Sequence, residues 1–451
     1  MINEISCFKA YDVRGRIPSE LNEDIAFRIG VGIASYFSAQ SVVIGYDIRP
    51  SSIDILEALT KGINSKGAKV FSIELCGTEE IYFATNYLNT DAGVMITASH
   101  NPADYNGLKI VGKGAKPVSI DSGLGEIKRI AESSEVLPQI NSDIEVVDIK
   151  SEYIQKLMGF INPDLIKPMR VLTNAGNGCA GPILDMLEDH LPVQFTKIQN
   201  QPDGSFPNGI PNPLLHENRE TTSKAVIENS ADIGIAWDGD FDRCFFFDSK
   251  GMFIENYYLI ALLSEQLLKE SQGESIVHDP RLTWNTIEEV ENFGGVPKIS
   301  KSGHSFIKEV MRENNSIYGG EMSGHHYFRD FYYSDSGMIP WLLLLENVSL
   351  SGTSLTDLVK DRIEKYPVSG EINRTVSNPE QLLEEIKAHY EPHKPKIDDI
   401  DGYSFDFNSW RFNLRMSNTE PLVRLNVETR GNNSLMQDKT DEILDLIQKL
   451  S

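Results

Sequence analysis

The sequence predicts an α/β protein: three similar α/β domains with mixed or parallel sheets, then a smaller C-terminal α+β domain. Three observations predict it. Apolar strand-like runs alternate with stretches of helical spacing in three successive rounds. The 451 residues are too many for one ordinary core, since domains cluster around ~100–150 residues. After Pro367 the alternation stops and strand signals follow one another closely.

In the first round, residues 42–46 (VVIGY) read as a buried strand, and residues 51–65 carry Ile55, Leu59 and Ile63 at helical spacing. Residues 70–75 return as a strand, 79–88 as a helix and 93–97 as the next strand, a βαβαβ order that implies a parallel sheet. The second round places strands at 169–173, 193–198 and 233–237, with a helix opening at 182–187. The third has a strand at 276–277, helices near 285–292 and ending at 310–314, and a strand at 317–318. In the last segment a strand at 370–376 precedes a helix at 379–389. Pro392, Pro395, Asp398, Asp399 and Asp401 read as a loop, followed by strands at 405–407, 410–415 and 422–429 and a closing helix near 441–449. The expected domains are 1–145, 146–247, 248–367 and 368–451.

Hydrophobic residues make up 40% and charged residues 24%, a balance that fits a soluble globular protein. The net charge of −24 repels nucleic acid and anionic membranes, so a phosphate-bearing ligand would need a locally basic pocket. Cys7, Cys76, Cys179 and Cys244 are scattered, with neither a C-x-x-C pair nor a disulfide framework, which suits a reducing compartment. No basic-then-apolar leader opens the sequence, and the richest apolar run, 341–345, is far below the ~20 residues of a membrane span. The expectation is a cytoplasmic protein with neither a nucleic-acid nor a membrane partner.

Four motifs carry chemistry. In Thr97-Ala98-Ser99-His100-Asn101-Pro102 the strand ends and proline forces a turn, presenting the Ser99 hydroxyl at the carboxyl edge of a sheet beside His100. In Asp238-Gly239-Asp240-Phe241-Asp242-Arg243 three carboxylates alternate around a turn and can converge on one hard cation, magnesium being the natural choice. An EF-hand calcium loop counted from Asp238 would need Gly and Glu where Arg243 and Ser249 stand. Gly319-Gly320-Glu321-Met322-Ser323-Gly324-His325 follows a short strand and offers Glu321 and Ser323 to sugar hydroxyls. Arg415-Met416-Ser417-Asn418-Thr419-Glu420-Pro421, with Arg424 beyond it, forms a ready phosphate nest. A fifth pattern, G-x-G-x-x-G over 176–181, is not read as a dinucleotide site, because no carboxylate ends the following strand at Lys197-Ile198-Gln199.

Together, in this order, these motifs resemble the α-D-phosphohexomutases, and in detail the bacterial phosphomannomutase branch, over nearly the whole chain. Residues 8–15 (FKAYDVRG), 77–83 (GTEEIYF), 301–304 (KSGH) and 325–330 (HHYFRD) add to the likeness. One departure is Tyr46, where many relatives have glycine or arginine, outside the site the motifs name. The resemblance implies four domains around a central cleft. It implies a phosphoserine at Ser99, with Asp238, Asp240, Asp242 and the phosphorylated Ser99 binding Mg2+. Arg14, His100 and Lys109 would surround the phosphoserine and Arg243 would lie beside the metal loop. Glu321, Ser323 and His325 would face the sugar, and Arg415, Ser417, Asn418, Thr419 and Arg424 would hold the phosphate that does not react.

The implied reaction interconverts mannose 6-phosphate and mannose 1-phosphate through a 1,6-bisphosphate, with glucose 1,6-bisphosphate or mannose 1,6-bisphosphate as activator. It would feed GDP-mannose and surface polysaccharide synthesis. Lys109, His100 and His304 are the candidate bases, and the sequence does not choose among them. The partner expected is a hexose phosphate, and the protein a monomer or homodimer. The alternatives are a phosphoglucomutase or dual-specificity mutase and, in a different class, a magnesium-dependent sugar phosphatase.

Overall fold

The computed structural model describes residues 4–137, 141–417 and 422–451. They form two compact units, one of residues 1–253 with 324–352, the other of residues 254–323 with 353–451.

The first unit opens on a mixed sheet in the spatial order Val13–Arg16, Tyr105–Gly112, Ala92–Ile96, Ser41–Tyr46, Lys69–Leu75, Ile144–Val146. The predicted βαβαβ core is there: Ser41–Tyr46 pairs parallel with both Lys69–Leu75 and Ala92–Ile96. The sheet becomes mixed on one side, where Tyr105–Gly112, a strand not read from the sequence, runs antiparallel to Ala92–Ile96 and to Val13–Arg16. That strand, YNGLKIVG, carries two glycines and a lysine among its apolar residues, which hid it from a hydrophobic reading. The core beneath it packs Ile29, Ile33, Leu59 and Ile63 of the helices Glu23–Tyr36 and Ser52–Asn64 against Val42, Ile44, Val94 and Ile96.

A second mixed sheet places Cys244–Phe247, Ile233–Trp237, Arg170–Asn174 and Gln194–Ile198 side by side. Ile233–Trp237 pairs parallel with Arg170–Asn174 and antiparallel with Cys244–Phe247. All five of its residues are buried, as its unbroken apolar run requires. The 324–352 segment completes this unit: the Trp237 indole donates to the Gly337 carbonyl at 2.8 Å and meets Trp341 edge-on at 6.3 Å. Glu79, at the start of the helix Thr78–Tyr87, is fully buried and accepts from Tyr153 Oη, Ser336 Oγ and the amides of Gly337 and Met338. All four cysteines are buried and free, and burial raises the pKa of each thiol.

In the second unit Val296–Ile299, Ser275–His278 and Tyr318–Gly320 pair in parallel. The last strand includes two glycines of the sugar motif, so that motif begins inside the sheet and not after it. A wholly antiparallel sheet follows, in the order Ile372–Thr375, Leu422–Thr429, Trp410–Met416, Tyr403–Asp406, Lys396–Asp398. The stretch read as a loop through Asp398 therefore contains an edge strand. Phe405 and Phe412 face each other across two strands with ring centroids 4.6 Å apart, a pair worth ~1 kcal/mol beyond its buried area. The closing helix is longer than its apolar spacing suggested, Asn433–Leu450, because the Asn432 side chain caps it by accepting from the Leu435 amide. Among the described residues no helix is long and apolar enough to cross a membrane.

Candidate active site

Three neighbouring strands of the first sheet deliver three of the predicted side chains. Ala92–Ile96 runs into the turn that carries Ser99. Lys109 stands opposite Met95 on the next strand, and Arg14 opposite Gly107 on the one beyond. Ser99 has φ +50°, a left-handed conformation that a non-glycine residue holds only when its surroundings enforce it.

The Asp238–Asp242 turn joins Ile233–Trp237 to its antiparallel return strand, with Trp237 opposite Cys244. It lies against the serine turn. Ser99 Oγ donates to Asp238 Oδ2 at 2.9 Å and lies 3.1 Å from His100 Nδ1, and Arg243 Nη2 donates to it at 3.3 Å. Close approach of the two turns requires glycine: a Cβ on Gly239 would stand 2.8 Å from the Ser99 carbonyl oxygen. The G-x-G-x-x-G stretch serves the same packing, since a Cβ on Gly178 would stand 2.6 Å from the Gly239 oxygen, and the Cys179 amide donates to that oxygen at 3.0 Å. Those glycines admit a neighbouring backbone, which accounts for a dinucleotide-like pattern without its acidic partner.

Lys109 Nζ donates to Asp240 at 2.7 Å and to Asp242. Arg243 Nε donates to Asp238 at 2.8 Å, and Thr78 Oγ1 to Asp240 at 2.6 Å. His325 Nε2 stands 3.7 Å from Asp242. Arg14 donates to Asn101 at 2.7 Å and to Asp12 at 2.6 Å, and so ties down the residue two beyond the serine. Burial raises the Asp238 carboxyl above its ordinary range despite Arg243; Asp242 is also buried, but Lys109, His325 and Arg243 outweigh that and hold it well below. Burial opposes the Lys109 ammonium too, yet Asp240 and Asp242 keep its pKa above that of an ordinary lysine. Burial, then Arg243, Arg14 and Lys109, holds His100 well below the usual histidine value, so it stays neutral at pH 7.

Asp238, Asp240 and Asp242 bring carboxylate oxygens within 4.8 Å of one another, and all three residues are buried. Among the described residues, the Oδ1 atom of each is buried and has no hydrogen-bond donor. Three carboxylates face two nearby cations, Lys109 and Arg243. A hard divalent ion that prefers oxygen ligands fits both that charge deficit and those vacant acceptors.

The remaining predicted residues lie in the second unit. Glu321 follows the strand Tyr318–Gly320 and accepts from the Gly303 amide at 2.7 Å, just before His304 opens the helix His304–Asn314. Ser323 lies two residues beyond Glu321. Arg415 and Arg424 are direct cross-strand partners, a like-charge pair, and both donate to Glu371, at 3.0 and 3.2 Å. Arg281 reaches the same carboxylate at 3.2 Å, and its Nη2 lies 3.9 Å from Glu321. A continuous polar chain thus links the sugar motif to the phosphate motif. Ser417 adjoins it, its amide donating to the Leu422 carbonyl at 2.9 Å; Asn418 and Thr419 lie outside the described residues. Burial works against the Glu371 charge, but the three guanidiniums outweigh it and bring its pKa down to about 2.

Sequence reasoning missed Asp47, Arg49, Arg281 and Glu371. Asp47 and Arg49 follow a strand end in the first unit, and Asp279-Pro280-Arg281 follows one in the second. Both stand where Ser99 and Glu321 stand, at carboxyl edges, and that placement was the available signal.

Profiles of the phosphoglucomutase/phosphomannomutase family match the chain in four parts: alpha/beta/alpha domain I over residues 6–136, domain II over 151–251, domain III over 255–366 and the C-terminal domain over 371–446. Curated relatives include "Phosphohexose mutases" of Xanthomonas campestris pv. campestris, 53% identical over 98% of this chain and 99% of theirs. A phosphomannomutase of Salmonella montevideo is 52% identical over 99% of this chain and its own full length. Among solved structures, a phosphoglucomutase/phosphomannomutase family protein from Burkholderia thailandensis superposes with a TM-score of 0.87 at 29% identity, covering 99% of this chain and 98% of that one.

Proposed function

Because the chain belongs to the phosphoglucomutase/phosphomannomutase family, we propose that it is a phosphomannomutase that interconverts mannose 6-phosphate and mannose 1-phosphate through a phosphoserine at Ser99. The observation that carries this reading is the convergence on the Ser99 hydroxyl of Asp238 and Arg243, with Asp240, Asp242 and Lys109 alongside. Relatives named phosphomannomutase, about half identical along their whole length, support the choice of sugar. The family matches also support a division of the chain near residues 145, 247 and 367.

The phosphoryl group leaves Ser99 Oγ as that P–O bond breaks, and a new P–O bond forms to the free hydroxyl of the hexose monophosphate. The hydroxyl proton goes to a base. The resulting 1,6-bisphosphate returns its other phosphoryl group to Ser99. Such a transfer has a loose transition state with charge spread over the phosphoryl oxygens, so it is accelerated by fixed cations and positioning. Arg243 and Lys109 are those cations. His100 adjoins the reacting oxygen, with Nδ1 3.1 Å from Ser99 Oγ and also bonded by Arg243, and the base is one of Lys109, His100 and His304. Asp238, Asp240 and Asp242 would hold a magnesium ion, which supplies positive charge to the phosphoryl oxygens when bound. Glu321, Ser323 and His325 would address the sugar, and Arg415, Ser417, Asn418, Thr419 and Arg424 the idle phosphate.

The test is conversion of mannose 6-phosphate, followed by phosphorus NMR, with a trace of glucose 1,6-bisphosphate. Glucose 6-phosphate runs as a parallel substrate, and intact mass reports phosphate on Ser99. The expected outcome is a mannose 1-phosphate product, a mass gain on Ser99, and no turnover by a folded Ser99→Ala variant. Steady release of inorganic phosphate without an isomer would establish a phosphatase instead.

A further inference from the structure

Arg49 is buried in the first unit, pairs with Asp47 and belongs to none of the four motifs. Its guanidinium has five N–H donors, and all five are used. Nη2 donates to the carbonyls of Ser99 at 2.9 Å and Asn101 at 2.7 Å. Nη1 donates to those of Pro102 at 2.6 Å and Tyr105 at 2.9 Å. Nε donates to Asp47 Oδ2 at 3.1 Å. Three carbonyls of the reactive serine's turn, with that of Tyr105 at the start of the next strand, therefore converge on a single side chain.

Asp47 closes a loop around the other side of the same turn. Its carboxylate accepts from the Arg49 amide at 3.0 Å, Ser52 Oγ at 2.9 Å and Thr97 Oγ1 at 2.8 Å. Thr97 Oγ1 in turn accepts from the Ser99 amide at 2.8 Å. Both peptide groups flanking the Ser99 Cα are thus anchored: its N–H through Thr97 to Asp47, its carbonyl directly by Arg49. The ring of Phe206 lies beneath the guanidinium, 5.4 Å from its carbon. A left-handed serine needs such anchoring, because without it the backbone relaxes and the hydroxyl swings away from Asp238 and Arg243.

We propose that Asp47, Arg49 and Thr97 form a positioning network that aims the Ser99 oxygen, and that they set the rate of phosphoryl transfer without touching the sugar. The inference rests on the reading of Ser99 as the phosphoryl carrier. A misplacement of about 1 Å at a reacting atom can cost ~100-fold in rate, so the network governs kcat and leaves KM alone.

Thr97→Val keeps the side chain's shape and removes the hydroxyl relay; Thr97→Ser keeps the relay. Arg49→Lys keeps one charge and offers three donors in place of five. The expected result is a kcat about 10- to 100-fold lower in T97V with KM within about twofold of wild type. T97S should work at close to the wild-type rate and R49K should fall at least as far as T97V. Single-turnover phosphorylation of Ser99 by glucose 1,6-bisphosphate, read by intact mass, should slow in step with kcat. Urea midpoints show whether each variant is folded, and if T97V is not, R49K is read in its place. The proposal is overturned by a folded T97V or R49K with wild-type kcat, by equal losses in T97S and T97V, or by a loss confined to KM. A wild-type protein that gains phosphate on Ser99 but makes no mannose 1-phosphate sinks the functional reading alone. The mass measurement then judges the network.

Discussion

One carboxylate, Glu371, answers three guanidiniums in the second unit, and its ionisation is part of what holds Arg281, Arg415 and Arg424 together. Its pKa of about 2 lies below the ordinary glutamate value of 4.5. A carboxylate depressed on folding contributes stability that is fully present above its unfolded value and is lost as the pH falls through its folded value. Wild type should therefore lose that contribution, at most about 3 kcal/mol, between about pH 4.5 and 2. Glu371→Gln should be less stable at pH 7 and lack this component, so urea curves of the two proteins should draw together in acid. A gap that stays constant with pH would contradict the assignment. Ser99 and the aspartate triplet were legible because their chemistry is contiguous: a serine at a strand end, and acids at alternate positions in a turn. Glu371 and Arg49 were not. Each acts on groups far away in the chain, and a lone glutamate just before a strand or arginine just after one looks like any surface charge until its partners are known.

At the scale of elements, the strands richest in β-branched and aromatic residues, such as Ser41–Tyr46, Ile233–Trp237 and Leu422–Thr429, were readable from composition. The helix Glu23–Tyr36 went unread although Asn22 caps it and Glu23 and Asp24 fill its first turn. Tyr105–Gly112 escaped because its glycines break the apolar pattern. The two close-packed turns give a sharper prediction. Gly178→Ala would press a methyl group onto the Gly239 oxygen, 2.6 Å away, and so displace the turn bearing the aspartates. The expected cost is ~1–3 kcal/mol in stability. Turnover should fall about 10-fold or more, with weaker retention of magnesium. Stability curves and a magnesium titration of activity check both, and unchanged magnesium dependence would mean that the turn does not move.

At the scale of the whole molecule, one of the two compact units is discontinuous in the chain. Residues 324–352 belong with the first 253, although 70 residues of the other unit come between them. They bring the first unit Ser336, Gly337 and Met338, three of the four donors to buried Glu79, and the Gly337 carbonyl that receives the Trp237 indole. A fragment of residues 1–253 would leave Glu79 and Trp237 without these partners. Buried polar groups so stranded cost ~1–3 kcal/mol each. The fragment should therefore show no cooperative thermal transition by circular dichroism, whereas the full chain should; a sharp transition in the fragment would refute the dependence. This long-range arrangement was hidden from the sequence because nothing local to residue 79 indicates a partner more than 250 positions away.

The cysteines offer a use of their own. Every one of them, at positions 7, 76, 179 and 244, lies in the first unit and is sealed from water. An alkylating reagent added to the native protein has no sulfur to reach, and in a rising concentration of urea each adduct records an opening of that unit alone. The second unit carries no such reporter, so adduct counting set beside circular dichroism would reveal whether the two units unfold in one event or in sequence.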